Sequence, residues 1–181
     1  MAMIKEIGAN GLRLAHYPHC KYTHELADRY GFLVWTEIPL VNNMTGSPEF
    51  AENAKLQFKE LILQNYNHPS IVFWGIYNEM GHRKTDDPHQ LLTDLNQLAH
   101  ELDPTRYTVA APNHRNRPEK MIPDVIAFNS YPGWYGGKAD DMKNVLYEWN
   151  KSVGFKGIGV SEYGAGGSIL HHQQGMVTPP V

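Results

Sequence analysis

The chain carries one cysteine, Cys20, so no internal disulfide can staple it and its fold must rest on a buried core. Positive charge is also scarce: 16 Lys and Arg against 19 Asp and Glu leave a formal net charge of −3. With no basic run to neutralise phosphates, nucleic acid is not an expected partner. No apolar run reaches membrane-spanning length and no signal-peptide core opens the chain, so no membrane partner is expected. Low-complexity tracts, sequence repeats and linkers are missing too. At 181 residues and 41% hydrophobic content, the chain reads as one globular unit around one core. What is plentiful is aromatic residues and histidine, at 11% and 10 residues, which matter only if they cluster.

Short apolar runs recur along the chain: 11–15 (GLRLA), 32–36 (FLVWT), 71–77 (IVFWGIY), 107–111 (YTVAA), 125–129 (VIAFN) and 158–161 (IGVS). Continuous apolar character over four to seven residues suits parallel strands buried on both faces. Between them lie amphipathic helices with start signals. Ser47-Pro48 opens one with Ala54, Phe58, Leu61 and Ile62 on a single stripe. Asp87-Pro88 opens another, striped by Leu91, Leu95, Leu98, Ala99 and Leu102. Met142, Val145, Leu146 and Trp149 mark a third, residues 23–30 closed by Gly31 a shorter one, and residues 3–7 the tail of another. Strict alternation of strand and helix predicts an α/β fold with a parallel sheet.

The connections are lopsided. Segments entering the strands are spare turns such as "NHPS", "DPTR" and "IPD". Segments leaving them carry the polar and aromatic cargo: "HYPHCKYT", "EIPLVNN", "NEMGHRKTDD", "PNHRNR", "NSYPGWYGG" and "EYGAGGSILHH". All strand C-termini of a parallel sheet or barrel share one face, so these residues must converge there. A nucleotide-binding sheet would open a helix with a spaced Gly fingerprint, and "GAGG" at 164–167 lacks it. The expectation is therefore a partial (β/α)8 TIM barrel, with six of its eight strands in this chain.

Three of the strands end on a glutamate: Glu37, Glu79 and Glu162. Two carboxylates facing each other across a barrel mouth can cleave a glycosidic bond. One donates a proton to the leaving oxygen while the other attacks the anomeric carbon, and a separation of roughly 5–5.5 Å implies retention of configuration. A single such Glu is usually a solvated surface group; three on one rim make that reading weak.

Five blocks carry a resemblance: "GANGLRLAHYPH" (8–19), "DRYGFLVWTEIP" (28–39), "NHPSIVFWGIYNE" (67–79), "DVIAFNSYPGWY" (124–135) and "SEYGAGG" (161–167). In this order and spacing they resemble glycoside hydrolase family 2, the β-galactosidases, β-glucuronidases and β-mannosidases. The resemblance implies that Glu79 is the general acid/base after the fourth barrel strand and Glu162 the nucleophile after the seventh. It implies that Asn78 binds the sugar 2-hydroxyl, that Arg13 and Tyr131 flank the nucleophile, that His16 faces substrate and that Trp74 walls the acid/base. The strands present would be the second to the seventh, so the whole chain, residues 1–181, would be a fragment of a catalytic barrel. The first and eighth strands and the preceding β-sandwich domains would lie outside it.

The residues support these roles independently. An acid/base Glu needs a raised pKa, which aromatic neighbours can provide by desolvation. Arg13 is the only arginine embedded in a strand, suited to keeping Glu162 ionised. Trp134 and Tyr135, in "GWYGG", can stack on a sugar ring or pack the loop, and both readings stand. Glu37 is expected to support the site rather than react.

Some relatives place an acidic metal ligand just beyond the third-strand Glu, where this chain reads "IPLVNN" without a carboxylate. No cofactor is expected to be required, and a divalent metal is doubtful. His16, His19 and His24 with Cys20 lack the paired spacing of a zinc site; His171 and His172 fall in a tail. The resulting expectation is a retaining exo-β-glycosidase acting on a carbohydrate, first of all a β-galactosidase. β-Glucuronidase, β-mannosidase, a non-catalytic carbohydrate-binding barrel and a metal-dependent barrel hydrolase are the alternatives. The unpaired outer strands would favour self-association, and the compartment is left open.

Overall fold

The structure is a computed structural model describing residues 1–80, 87–112, 121–153 and 157–166. Six parallel strands form one sheet in sequence order: β1 Gly11–Leu14, β2 Leu33–Glu37, β3 Ile71–Asn78, β4 Tyr107–Ala111, β5 Val125–Asn129 and β6 Gly157–Glu162. Helices α1 Ala2–Glu6, α2 Lys21–Tyr30, α3 Pro48–Asn65, α4 His89–Leu102 and α5 Met142–Val153 accompany it. The sheet curls into part of a barrel. Side chains of its first and last strands meet across the mouth, where Arg13 lies 2.8 Å from Glu162.

Local chemistry explains the boundaries. Ser47 accepts the Phe50 amide at 3.2 Å with Pro48 in the first helical position, a strong start signal. Gly31 ends α2 at φ 67, where a side chain would be strained. Before α4 the expected cap shifts by one: Pro88 holds the capping position, and Asp87 accepts from the His89 amide at 3.0 Å.

Strand residues divide among three apolar clusters, one of them Ile126 and Phe128 packed on Trp149 of α5. Trp35, Val109, Ala111 and Ala127, with Phe73 and Val125 against them, fill the concave side. Val34, Trp74, Ile76 and Ala110 join Phe58, Leu61, Ile62, Leu91, Leu92 and Leu95 between sheet and helices. Each large side chain fully buried in this way contributes about 1.5–3 kcal/mol. Gly75 marks the tightest point of the concave side: a Cβ there would overlap the Trp35 indole nitrogen and the Glu37 side chain. The lone glycine in "IVFWGIY" thus lets Trp35 cross beneath the rim.

The end of the sheet away from the rim is tied down by ions. Arg106 donates to the carbonyls of Ile71 at 2.8 Å, Tyr66 at 2.9 Å and His68 at 3.2 Å, and pairs with Asp103 at 2.6 Å. Asp103 is fully buried and also accepts from Trp74 Nε1 at 3.0 Å. This corrects one expectation. Trp74 belongs to the helix-side core, bonded to a residue before β4, and its buried ring does not wall Glu79.

Candidate active site

The rim is built where strands run out. Parallel pairing brings the C-terminal residues of all strands to one face, and breaks in the pairing choose which side chains turn inward. Between Gly75 and Asn78 the register against β4 slips, with Gly75 opposite Val109 but Asn78 opposite Ala111. The extra residue reverses the alternation, so Asn78 enters the mouth although Trp74, four positions earlier, faces the helices. Glu79 follows at φ 50, its amide donating to the Ala111 carbonyl at 2.7 Å. A non-glycine residue in the left-handed region is worth about 1–2 kcal/mol of strain, a cost that recurs at functional sites.

Arg13 is the hub. Its Nε and one terminal nitrogen grip both oxygens of Glu37, at 3.0 and 3.1 Å. That nitrogen also donates to Asn78 Oδ1 at 2.8 Å, and the other to Glu162 Oε1 at 2.8 Å. The guanidinium lies 4.3 Å from the centre of the Trp35 ring, which supports it by cation–π attraction. Glu37 is 1% exposed, so its charge depends on these partners. His16 Nδ1 donates to Glu37 Oε1 at 2.7 Å, and its Nε2 stands 3.6 Å from Glu162 Oε1.

The second oxygen of Glu162 accepts from the Tyr131 hydroxyl. Burial first, then this bond and the charge of Glu162, push the Tyr131 phenol above its ordinary range, so it remains a donor. Tyr135 meets Tyr131 edge-on at 5.2 Å, and Trp134 lies 6.3 Å from Tyr135. Trp134 is half-buried and Tyr135 exposed beside the Glu162 end of the mouth.

The structure therefore gathers Arg13, His16, Asn78, Tyr131 and Glu162 into direct contact, with Glu37 beneath them. Glu79 joins through Asn129, whose Nδ2 donates to Glu79 Oε1 at 2.7 Å and to Asn78 Oδ1 at 3.2 Å. Asn129 and its partner Ser161 had not been singled out from sequence. The signal was available, because Asn129 ends an apolar run on a polar residue as Asn78 does. Trp74 is not in the group.

The other described histidines scatter. His19 stacks on Tyr17 at 5.0 Å, and His24 is buried beside His68 at 5.4 Å. Cys20 is exposed. Among the described residues no three His, Cys, Asp or Glu side chains form a metal-holding group. His171 and His172 lie outside the described residues.

Residues 1–175 match the TIM barrel domain of glycosyl hydrolases family 2. The chain belongs to this family. A β-glucuronidase of Bacteroides fragilis is 41% identical over 186 residues, covering 99% of this chain and 26% of its own length. A β-galactosidase of Thermoanaerobacterium thermosulfurigenes is 34% identical, covering 70% of this chain and 17% of its own length. Among solved structures, the FMN-binding β-glucuronidase of Faecalibacterium prausnitzii L2-6 superposes with a TM-score of 0.89 at 40% identity. That match covers 95% of this chain and 27% of the other. The chain thus spans about a quarter of the length of these two β-glucuronidases.

Proposed function

We propose that these residues form the second to seventh strands of the catalytic barrel of a longer family 2 enzyme, a retaining exo-β-glycosidase acting on β-glucuronides. The observation that carries the chemistry is that two carboxylates are held on one rim by hydrogen-bond donors. Glu162 receives a guanidinium and a phenol, one on each oxygen. Glu79 receives the neutral amide of Asn129.

On this reading Glu162 attacks the anomeric carbon, forming a C–O bond as the bond to the departing oxygen breaks and Glu79 gives that oxygen its proton. Glu79, now a base, takes a proton from water, which displaces Glu162 and restores both groups. Asn78 accepts at Oδ1 from Arg13 and Asn129. Its NH2 group is thereby directed outward, suited to the sugar 2-hydroxyl. Trp134 and Tyr135 flank the sugar at the Glu162 end.

The choice of glucuronide over the galactoside first expected rests on the relatives, most of which carry the name β-glucuronidase. The test is the full-length protein on a panel of nitrophenyl β-glycosides, with a 2-fluoro glycoside as covalent trap. Turnover should be greatest on the glucuronide, and Glu162→Gln should abolish both turnover and trapping. Labelling at another residue would remove the assignment, and binding without hydrolysis would favour the carbohydrate-binding alternative.

A further inference from the structure

Glu37 is a buried carboxylate to which the double displacement gives no task. It is 1% exposed, and its side-chain bonds run to Arg13 of β1 and to His16 just after it. Oε2 accepts from Arg13 Nε at 3.0 Å. Oε1 accepts from Arg13 Nη2 at 3.1 Å and lies 2.7 Å from His16 Nδ1.

Which nitrogen of an imidazole carries hydrogen is set by the neighbours of the ring. Two groups stand near His16 Nδ1: Glu37 Oε1 at 2.7 Å and Arg13 Nη2 at 3.3 Å. Nη2 has two hydrogens. Asn78 Oδ1 takes one at 2.8 Å and Glu37 Oε1 the other at 3.1 Å, so neither is left for the ring. At 2.7 Å two lone pairs would repel, so a hydrogen lies between Nδ1 and Oε1. The charge-assisted fork from Arg13 favours Glu37 as the acceptor, which puts that hydrogen on Nδ1.

In the neutral ring Nε2 is then the bare nitrogen. It faces the mouth, 3.6 Å from Glu162 Oε1, too far for a hydrogen bond, and the His16 side chain is partly exposed there. Glu162 has to meet the anomeric carbon, so Nε2 stands beside the sugar ring as well.

We propose that Glu37 is a positioning residue that fixes the Nδ1–H tautomer of His16, so that Nε2 accepts a hydrogen from a ring hydroxyl of the sugar. Positive charge develops on the sugar as the departing oxygen leaves. That charge makes the hydroxyl a stronger donor, so an acceptor at Nε2 gains more in the transition state than in the ground state. With the other tautomer, Nε2–H would face the same hydroxyl as a donor and the gain would be lost. The proposal rests on reading Glu162 as the nucleophile of a glycosidase.

The test uses the full-length protein. Neutron diffraction from its crystals at pH 8, where an ordinary imidazole is neutral, locates the hydrogens directly. Deuterium is expected on His16 Nδ1 and none on Nε2; deuterium on Nε2 would overturn the proposal without any substitution. The consequence is read with nitrophenyl β-glucuronide and its 2-, 3- and 4-deoxy forms. Glu37→Gln offers the ring an NH2 group and releases the tautomer. It should lower kcat/KM about tenfold on the intact glucuronide, and less than about twofold on the one deoxy form that lacks the hydroxyl meeting Nε2. In a His16→Phe background the same change should affect all four substrates equally.

Losses from Glu37→Gln that are equal on all four substrates with His16 present would overturn the proposal and leave the glycosidase reading intact. If that variant does not fold, the neutron positions decide alone. A wild-type protein that hydrolyses no nitrophenyl β-glycoside would overturn both.

Discussion

Replacing Arg13 by alanine removes the guanidinium that holds three side chains at once. Glu37 is the partner that makes this costly. It is 1% exposed and takes two of the Arg13 bonds, so its charge would be left buried with only His16 to meet it. Removing one member of a buried pair costs about 3–5 kcal/mol, because desolvation of the survivor is no longer offset. Glu162 is 26% exposed, so water makes good much of its loss and little is added for it. For a domain of this size the total corresponds to a fall in Tm of about 6–20 °C.

Differential scanning calorimetry of the protein and Arg13→Ala would measure the fall, and Glu37→Gln in the same background tests its cause. If the stranded carboxylate is responsible, the double variant should be more stable than Arg13→Ala alone, recovering about 1 kcal/mol or more. Arg13→Lys should lie between, since one ammonium cannot replace a fork that spans Glu37 and Glu162. A loss under about 1 kcal/mol for Arg13→Ala would mean that the cluster behaves as a surface ion pair. Additive losses in the double variant would refute the argument equally.

Two further perturbations probe parts of the fold that position the site. Gly75→Ala would drive a methyl into the Trp35 indole and the Glu37 side chain; the overpacking should cost about 1–3 kcal/mol in urea unfolding, and a neutral result would mean that Trp35 moves freely. Asp103 is lowered from 3.8 to about 2, because hydrogen bonds from Thr105, Arg106 and Trp74 outweigh the upward push of burial. Its folded value lies below its unfolded one, so its stabilisation of about 2 kcal/mol is present at neutral pH and fades as pH falls from about 4 towards 2. The stability gap between the protein and Asp103→Asn should therefore shrink in urea titrations as pH falls through that range, and a gap constant with pH would count against the assignment.

Most of the architecture was legible because it is written in local pattern. "FLVWT", "YTVAA" and "VIAFN" are strands since continuous apolar runs bounded by turn residues have few other uses, and Ser47-Pro48 and Gly31 announce helix ends by their own chemistry. The convergence of Arg13, Asn78, Tyr131 and Glu162 was also legible, because parallel topology sends every strand's C-terminus to one face. The side on which Trp74 lies was not legible, for a physical reason. Which side of a strand a residue faces follows from alternation only until a bulge interrupts it, and no local residue pattern marked the slip in β3.

The sequence by itself determined the family, the alternation of elements and the rim on which the carboxylates gather, since those depend on residue type and order. Tertiary structure alone decided that Arg13 joins Glu37, Asn78 and Glu162, that Trp74 is bonded to Asp103 in the helix-side core, and that Glu79 joins the group through Asn129. Those contacts join residues 24 to 149 positions apart, and they depend on the curl of the sheet and the register of its strands, quantities that no local stretch of chain contains.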